Sequence, residues 1–224
     1  KGFTTLITDA VPNLHFVAGS QCFPLYIYEA NTTPTQANPQ GGLFDEPNAP
    51  TTTGYTRRDA ITNAGLKHFT DFYQDQSISK EDLFYYIYGL LHSEEYKTKY
   101  ADNLTKELPR IPCVKQIADF WAFSKAGRKL AELHINYETV KPYTVTFDVA
   151  LDTLSNTDFY VKQMKFAKKG DKSTVIYNSK ITIKNIPVAA YDYVVNGKPA
   201  LEWVMERQSV STHKDSGIVN DAND

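Results

Sequence analysis

The sequence predicts an α+β fold: a short N-terminal β segment, a central helical block and a C-terminal antiparallel β-rich part. Two observations carry this. Between Thr62 and Tyr137 apolar residues recur at three- and four-residue spacing, the period of a helix face. After Tyr137 the pattern changes to alternation, broken by Gly- and Asn-bearing turns. The change divides the chain into 1–140, with strands, a long loop and the helical block, and 141–224, a β-meander with a short terminal helix; the two stretches are also compatible with one continuous domain.

Residues 3–8 (FTTLIT) and 14–17 (LHFV) read as short strands separated by a turn over Asp9–Asn13 with Pro12. Phe23–Tyr28 (FPLYIY) reads as a third, with Pro24 pointing to an edge or strand-start position. Ala30–Gly54 carries Pro34, Pro39, Pro47 and Pro50, a Gly41-Gly42 pair and many Asn, Thr and Gln, and reads as a long exposed loop. Loops of that length are usually functional or disordered.

Thr62 caps a helix bearing Leu66, Phe69 and Tyr73. Ser79-Lys80-Glu81-Asp82 resembles a capping box, with Ile78 and Leu83 as its hydrophobic staple. Leu83, Ile87, Leu90 and Leu91 continue one apolar face until His92-Ser93, a second capping signal followed by Glu94-Glu95. Pro109 and Pro112 end helical structure. Val114–His134 is the longest helical candidate, with a break or close packing expected at Ser124–Gly127. Tyr143–Val149, Phe159–Phe166, Ser173–Tyr177 and Lys180–Ile186 read as strands, with hairpin turns at Lys168–Asp171 and Asn178-Ser179. Asn196-Gly197 is a further turn, Ala200–Arg207 a short helix holding Trp203, and Gln208–Asp224 a polar surface tail.

Composition narrows the class. A chain of 224 residues buries roughly 70% of its unfolded surface without help from a disulfide or metal. Cys22 and Cys113 stand far apart with no second Cys or His at ligand spacing, so buried free thiols are expected. No apolar run is long enough to span a membrane, and the opening Lys1-Gly2-Phe3 lacks a secretory pattern. A cytoplasmic piece of a longer protein is expected. A net charge of −2 argues against nonspecific coating of nucleic acid but leaves room for a local positive field.

Sequence motifs for catalysis are absent: there is no Walker A loop, G-x-S-x-G, H-E-x-x-H or G-x-G-x-x-G. Glu132, His134 and Glu138 place two carboxylates near one histidine, for which a capped helix end is the simpler reading. The abundant aromatics, with tyrosine leading at 15 residues, suit core and interface packing before base stacking. Local charge is more informative. Between positions 162 and 184, Lys162, Lys165, Lys168, Lys169, Lys172, Lys180 and Lys184 face the single acid Asp171. On a meander they form a phosphate-contact surface or a guard against edge-strand association.

Several strings resemble the C-terminal specificity domain of Type ISP restriction-modification enzymes. They are QCFPLY (21–26), FYYIYGLLHSEEY (84–96), LPRIP (108–112), GRKLAELHINYE (127–138), VNGK (195–198), WVMER (203–207) and SGIVND (216–221). They run in the family's order over nearly the whole chain. Two positions depart from its pattern: Glu94 stands where proline is more frequent, and Gln208 where an aromatic is expected.

The resemblance implies recognition of double-stranded DNA that directs adenine methylation and ATP-dependent cleavage by other domains of the same polypeptide. This stretch would carry no catalytic centre and no cofactor; ATP, Mg2+ and S-adenosylmethionine would serve the parent's other domains. Shared motifs look like scaffold, because base-reading side chains differ between enzymes with different targets. Specificity is therefore expected in the Ala30–Gly54 loop and the Lys162–Lys184 meander. The proposed DNA-binding residues are Lys162, Lys165, Lys168, Lys169, Lys172, Arg57 and Arg58 on phosphates. Asn38 and Gln40, with Asn31 and Gln36, are of the type that reads adenine edges. The leading alternative is a structural module docking the methyltransferase onto a helical coupler without base contacts. A hydrolase built on Glu132, His134 and Glu138 and a carbohydrate-binding module rank lower.

Overall fold

The computed structural model describes residues 3–12, 21–32 and 52–223. The chain divides into two units, one of Thr5–Glu138 and one of Lys1–Thr4 with Thr139–Asp224.

In the first unit, capping residues set the helix starts. Thr62 accepts the Gly65 N–H at 3.1 Å and opens α1 (Asn63–Tyr73). Ser79 and Asp82 form the reciprocal capping box of α2 (Lys80–Leu91), with Ile78 and Leu83 both buried beneath it. Ser93 accepts from Tyr96 and opens α3 (Glu94–Lys99), so the hydrophobic run 83–96 is two helices. A short α4 (Ala101–Leu104) follows, then α5 (Ile117–Ile135).

The prolines at 109 and 112 keep the chain between α4 and α5 extended. Three tyrosine hydroxyls strap it down at alternate carbonyls: Tyr96 on Arg110 (2.7 Å), Tyr86 on Pro112 (2.5 Å) and Tyr73 on Val114 (2.8 Å). Alternate carbonyls of an extended chain point the same way, so one tyrosine-bearing core can satisfy all three. The core holds Phe69, Ile78, Leu83, Tyr86, Leu90, Tyr96 and Phe120, with Tyr86 stacked on Phe120 at 4.6 Å. The expected irregularity at Ser124–Gly127 is a close approach and not a break: α5 runs on unbroken with Gly127 against α2.

This unit also holds a hairpin of β1 (Tyr26–Thr32) and β2 (Thr52–Asp59), paired from Tyr26↔Asp59 to Ala30↔Tyr55. Both ends of the expected 30–54 loop are therefore strand. Gly54 takes φ 142°, open to glycine, at the irregularity in β2 where the register shifts between Ala30 and Thr32. The reading of 3–8 as a strand is not met, since no strand pairs with it among the described residues, and 14–17 lies outside them.

In the second unit, β3 (Thr146–Phe147), β4 (Lys165–Lys168), β5 (Asp171–Ile176) and β6 (Thr182–Lys184) form an antiparallel sheet in the order β3-β6-β5-β4. The strands expected at 143–149 and 159–166 are shorter than their sequence patterns. At Asp148 the backbone N–H still donates to the Thr182 carbonyl (3.2 Å), but the Thr182 N–H bonds the Asp148 side chain (2.7 Å) in place of a backbone carbonyl, and Asn156–Phe159 is a 3-10 turn capped by Ser155 and Asp158. Asn196 and Gly197, at φ 52° and 80°, turn β7 (Val194–Val195) into β8 (Lys198–Pro199), as a two-residue hairpin requires. The helix α6 (Ala200–Arg207) follows, and Leu201 and Met205 pack with Val175, Ile186 and Tyr191. The tail is more structured than expected. A hairpin of β9 (Ser211–Thr212) and β10 (Val219–Asn220) forms, and the Asn223 side chain bonds both the N–H and the carbonyl of Val161. No helix among the described residues is long and apolar enough to cross a membrane.

Candidate functional site

The four-stranded sheet has two chemically different faces. Phe166, Val175, Ile183 and Phe147 lie across it in one row, and three of them belong to the core beneath α6. Side chains alternate along a strand, so the neighbouring rows project to the opposite face. Those rows carry Lys165, Ile176 and Thr182, and then Lys184 beside Thr146. Lys165 and Lys184 are exposed. Lys168 and Lys169 stand at the β4–β5 turn, where Gly170 takes φ 84° and the register sets Lys168 opposite Asp171.

The lysines do not act as one block. Lys172 pairs with Glu202 of α6 at 2.6 Å and lies over the Tyr191 ring at 5.0 Å. Lys180 pairs with Asp158, whose carboxyl falls to about 2 through hydrogen bonds from Lys180 and Ser155. Two acids from outside the 162–184 segment thus offset part of a charge that a local count leaves unopposed. Among the described residues, Lys162, Lys165, Lys168, Lys169 and Lys184 form no ion pair.

Arg57 and Arg58 sit on opposite faces of the β1–β2 hairpin and differ in the same way. Arg58 is paired with Glu29, whereas the Arg57 guanidinium lies over the Tyr26 ring at 4.2 Å. Asn38, Gln40 and Gln36 lie outside the described residues, as does the side chain of Asn31.

Glu132, His134 and Glu138 do not converge. The His134 ring meets the Tyr88 hydroxyl through Nδ1 at 2.6 Å, Glu132 is exposed, and Glu138 accepts from Tyr137. Among the described residues no three His, Cys, Asp or Glu side chains are grouped to hold a metal ion. Both cysteines are free, but neither is fully buried as expected: Cys22 is exposed, preceding β1 outside any core cluster, and Cys113 is half-buried against the edge of the first unit's core. The strand expected at Phe23–Tyr28 begins instead at Tyr26 and runs on to Thr32, and sequence reading missed its partner β2, because Tyr55–Asp59 (YTRRD) is mostly polar and carries no apolar alternation.

Comparison with known proteins places this geometry. Residues 1–224 match the model of the Type ISP C-terminal specificity domain. The ATP-dependent Type ISP restriction-modification enzyme LlaBIII, solved bound to DNA, aligns with 100% of this chain at 41% identity and a TM-score of 0.76. The DrdV–DNA complex aligns with 94% at 32% identity and a TM-score of 0.72. A nuclease-deletion mutant of the Type ISP enzyme LlaGI, in complex with a DNA substrate mimic, aligns with 75% at 43% identity and a TM-score of 0.59. The chain spans only 13%, 19% and 12% of those three chains, respectively. Among curated proteins none matches. With a family model matched end to end and an identity of 41% to LlaBIII over its full length, the chain belongs to the Type ISP C-terminal specificity domains.

Proposed function

We propose that this chain recognises a target sequence in double-stranded DNA for a multifunctional restriction-modification enzyme. It directs adenine methylation and ATP-dependent cleavage that other domains of the same polypeptide perform, and has no catalytic role itself. ATP, Mg2+ and S-adenosylmethionine, in this reading, belong to those other domains. The observation that carries the reading is the lysine-bearing outer face of the four-stranded sheet, with Lys165 and Lys184 on it and Lys168 and Lys169 at its turn. Phosphate contacts of this kind hold a protein on a duplex without reading its sequence. The DNA in the LlaBIII and DrdV structures supports the same reading.

The test is anisotropy binding of random duplex DNA at several salt concentrations. A charged contact surface predicts affinity falling with salt, with a log–log slope of about −0.9 per neutralised phosphate. Replacing Lys165, Lys168, Lys169 and Lys184 together by Gln should flatten that slope and weaken all sequences alike. An unchanged slope would remove the sheet as the contact surface.

One observation favours a second role beside this one. Val188, Val194 and Val204 are 76%, 45% and 53% exposed around α6. Apolar side chains there suit docking onto another domain of the parent. Charged replacements at Val188 and Val204 should then disrupt assembly of the parent and spare DNA affinity.

A further inference from the structure

The β1–β2 hairpin is a two-stranded sheet with both faces open. Ile27 on one face is 43% exposed, and Tyr28 and Tyr55 on the other are 61% and 69% exposed. A two-stranded ribbon is marginally stable by itself, and this one is held at its base. Ala60 donates to the Leu25 carbonyl at 3.0 Å, Lys80 of α2 pairs with Asp59 at 3.1 Å, and the Tyr26 hydroxyl bonds Glu81. These ties fix the root of the ribbon to the N-terminal turn of α2 and leave its length uncovered.

The two faces are not equivalent. On one, Glu29 occupies Arg58. On the other, Tyr26, Tyr28, Tyr55 and Arg57 lie together, and the register sets Tyr28 directly opposite Arg57. The Arg57 guanidinium sits over the Tyr26 ring and, among the described residues, has no ion-pair partner. Stacking orients a guanidinium plane while leaving its edge donors uncommitted. A two-stranded ribbon is also of a width that the major groove, roughly 12 Å across, admits.

We propose that the Tyr28–Tyr55–Arg57 face of this ribbon enters the major groove of duplex DNA, with Arg57 reading a guanine edge. This rests on the recognition reading above and assigns Arg57 to a base, where sequence alone suggested a phosphate. Guanine is the partner because its O6 and N7 accept the two parallel N–H groups of an arginine fork. The tyrosines flank Arg57 as apolar walls that exclude water from that contact. Arg58, held by Glu29, takes no part in discrimination.

The experiment selects sequences from a random duplex pool with the 224-residue chain, in wild-type form and as Arg57→Lys, Arg57→Ala and Arg58→Ala. Circular dichroism and thermal melting check that each variant is folded. The wild type should enrich a site containing guanine. Arg57→Ala and Arg57→Lys should lose preference at one guanine position by roughly 10- to 100-fold, while affinity for unselected duplex changes by less than about threefold for Arg57→Lys, which keeps the charge. Arg58→Ala should select as the wild type does. If Arg57→Ala and Arg57→Lys enrich the wild-type site unchanged, the inference is overturned, the recognition reading stands, and the ribbon face is left to contact with another protein domain. If the wild type enriches nothing, the recognition reading itself fails and takes the inference with it.

Discussion

Gly89 of α2 and Gly127 of α5 meet backbone to backbone: a methyl group added at Gly127 would lie 2.7 Å from the Gly89 nitrogen, and closer still to the Tyr85 carbonyl oxygen. The atoms in the way are main chain, so no rotamer change relieves the clash. The two helices would have to separate, and with them the Tyr86–Phe120 stack between them. Gly127→Ala should therefore destabilise the protein by about 3 kcal/mol, the upper part of the range for overpacked cores. Urea unfolding checks this; a loss below about 0.5 kcal/mol would mean the helices have room to adjust.

The tyrosine strap gives a second expectation. Tyr86→Phe keeps the stack on Phe120 but leaves the Pro112 carbonyl without its hydroxyl partner. The cost should be about 1–3 kcal/mol. Tyr73, half-buried with its pKa pushed up to about 12 mainly by burial, donates to Val114 in the same strap. If Tyr86→Phe and Tyr73→Phe both unfold at the wild-type urea concentration, the strap contributes nothing.

Stability should depend on pH through His92 and His134. Burial lowers both pKa values, and for His134 the neighbouring His92 adds to the effect. Around His92, Lys97 acts in the same direction, while Glu94 and hydrogen bonds to the Tyr88 and Thr5 backbone oppose it. The fold thus favours neutral rings. Its contribution is complete above the unfolded pKa near 6.5 and is lost as pH falls through the lower folded values. The urea midpoint should drop between pH 7.5 and 5, and less steeply in His92→Gln than in the wild type. Parallel curves would show that these rings do not titrate with folding.

Lys172 and Lys165 should separate into different roles. Lys172→Ala loses the Glu202 pair and the Tyr191 contact, at a cost of up to about 1 kcal/mol. Its effect on the salt slope of DNA binding should be small. Lys165→Ala should do the reverse, leaving stability within about 0.5 kcal/mol and reducing the slope by about 0.9. Thermal melting and salt titration of both variants check the division.

What the sequence determined by itself was local. Thr62, Ser79 and Ser93 start their helices because a side-chain oxygen within three residues satisfies an otherwise free N–H. Pro109 and Pro112 stop helix, and Asn196-Gly197 turns the chain, through backbone sterics that need no distant partner. Family membership was legible for a related reason, since the strings that carry it include the Ser93 start, the Pro109 and Pro112 stops, the Asn196-Gly197 turn and the core aromatics Tyr86 and Tyr96.

Tertiary structure decided everything that depends on a partner far along the chain. Residues 3–8 read as a strand but pair with none among the described residues, whereas β1 and β2 form across an intervening stretch that reads as loop. Lys172 and Lys180 count as free cations in the sequence until Glu202 and Asp158 are folded against them, and Arg58 until Glu29 is. A ladder and an ion pair both need two groups brought within a few ångströms, and only the folded chain sets that distance.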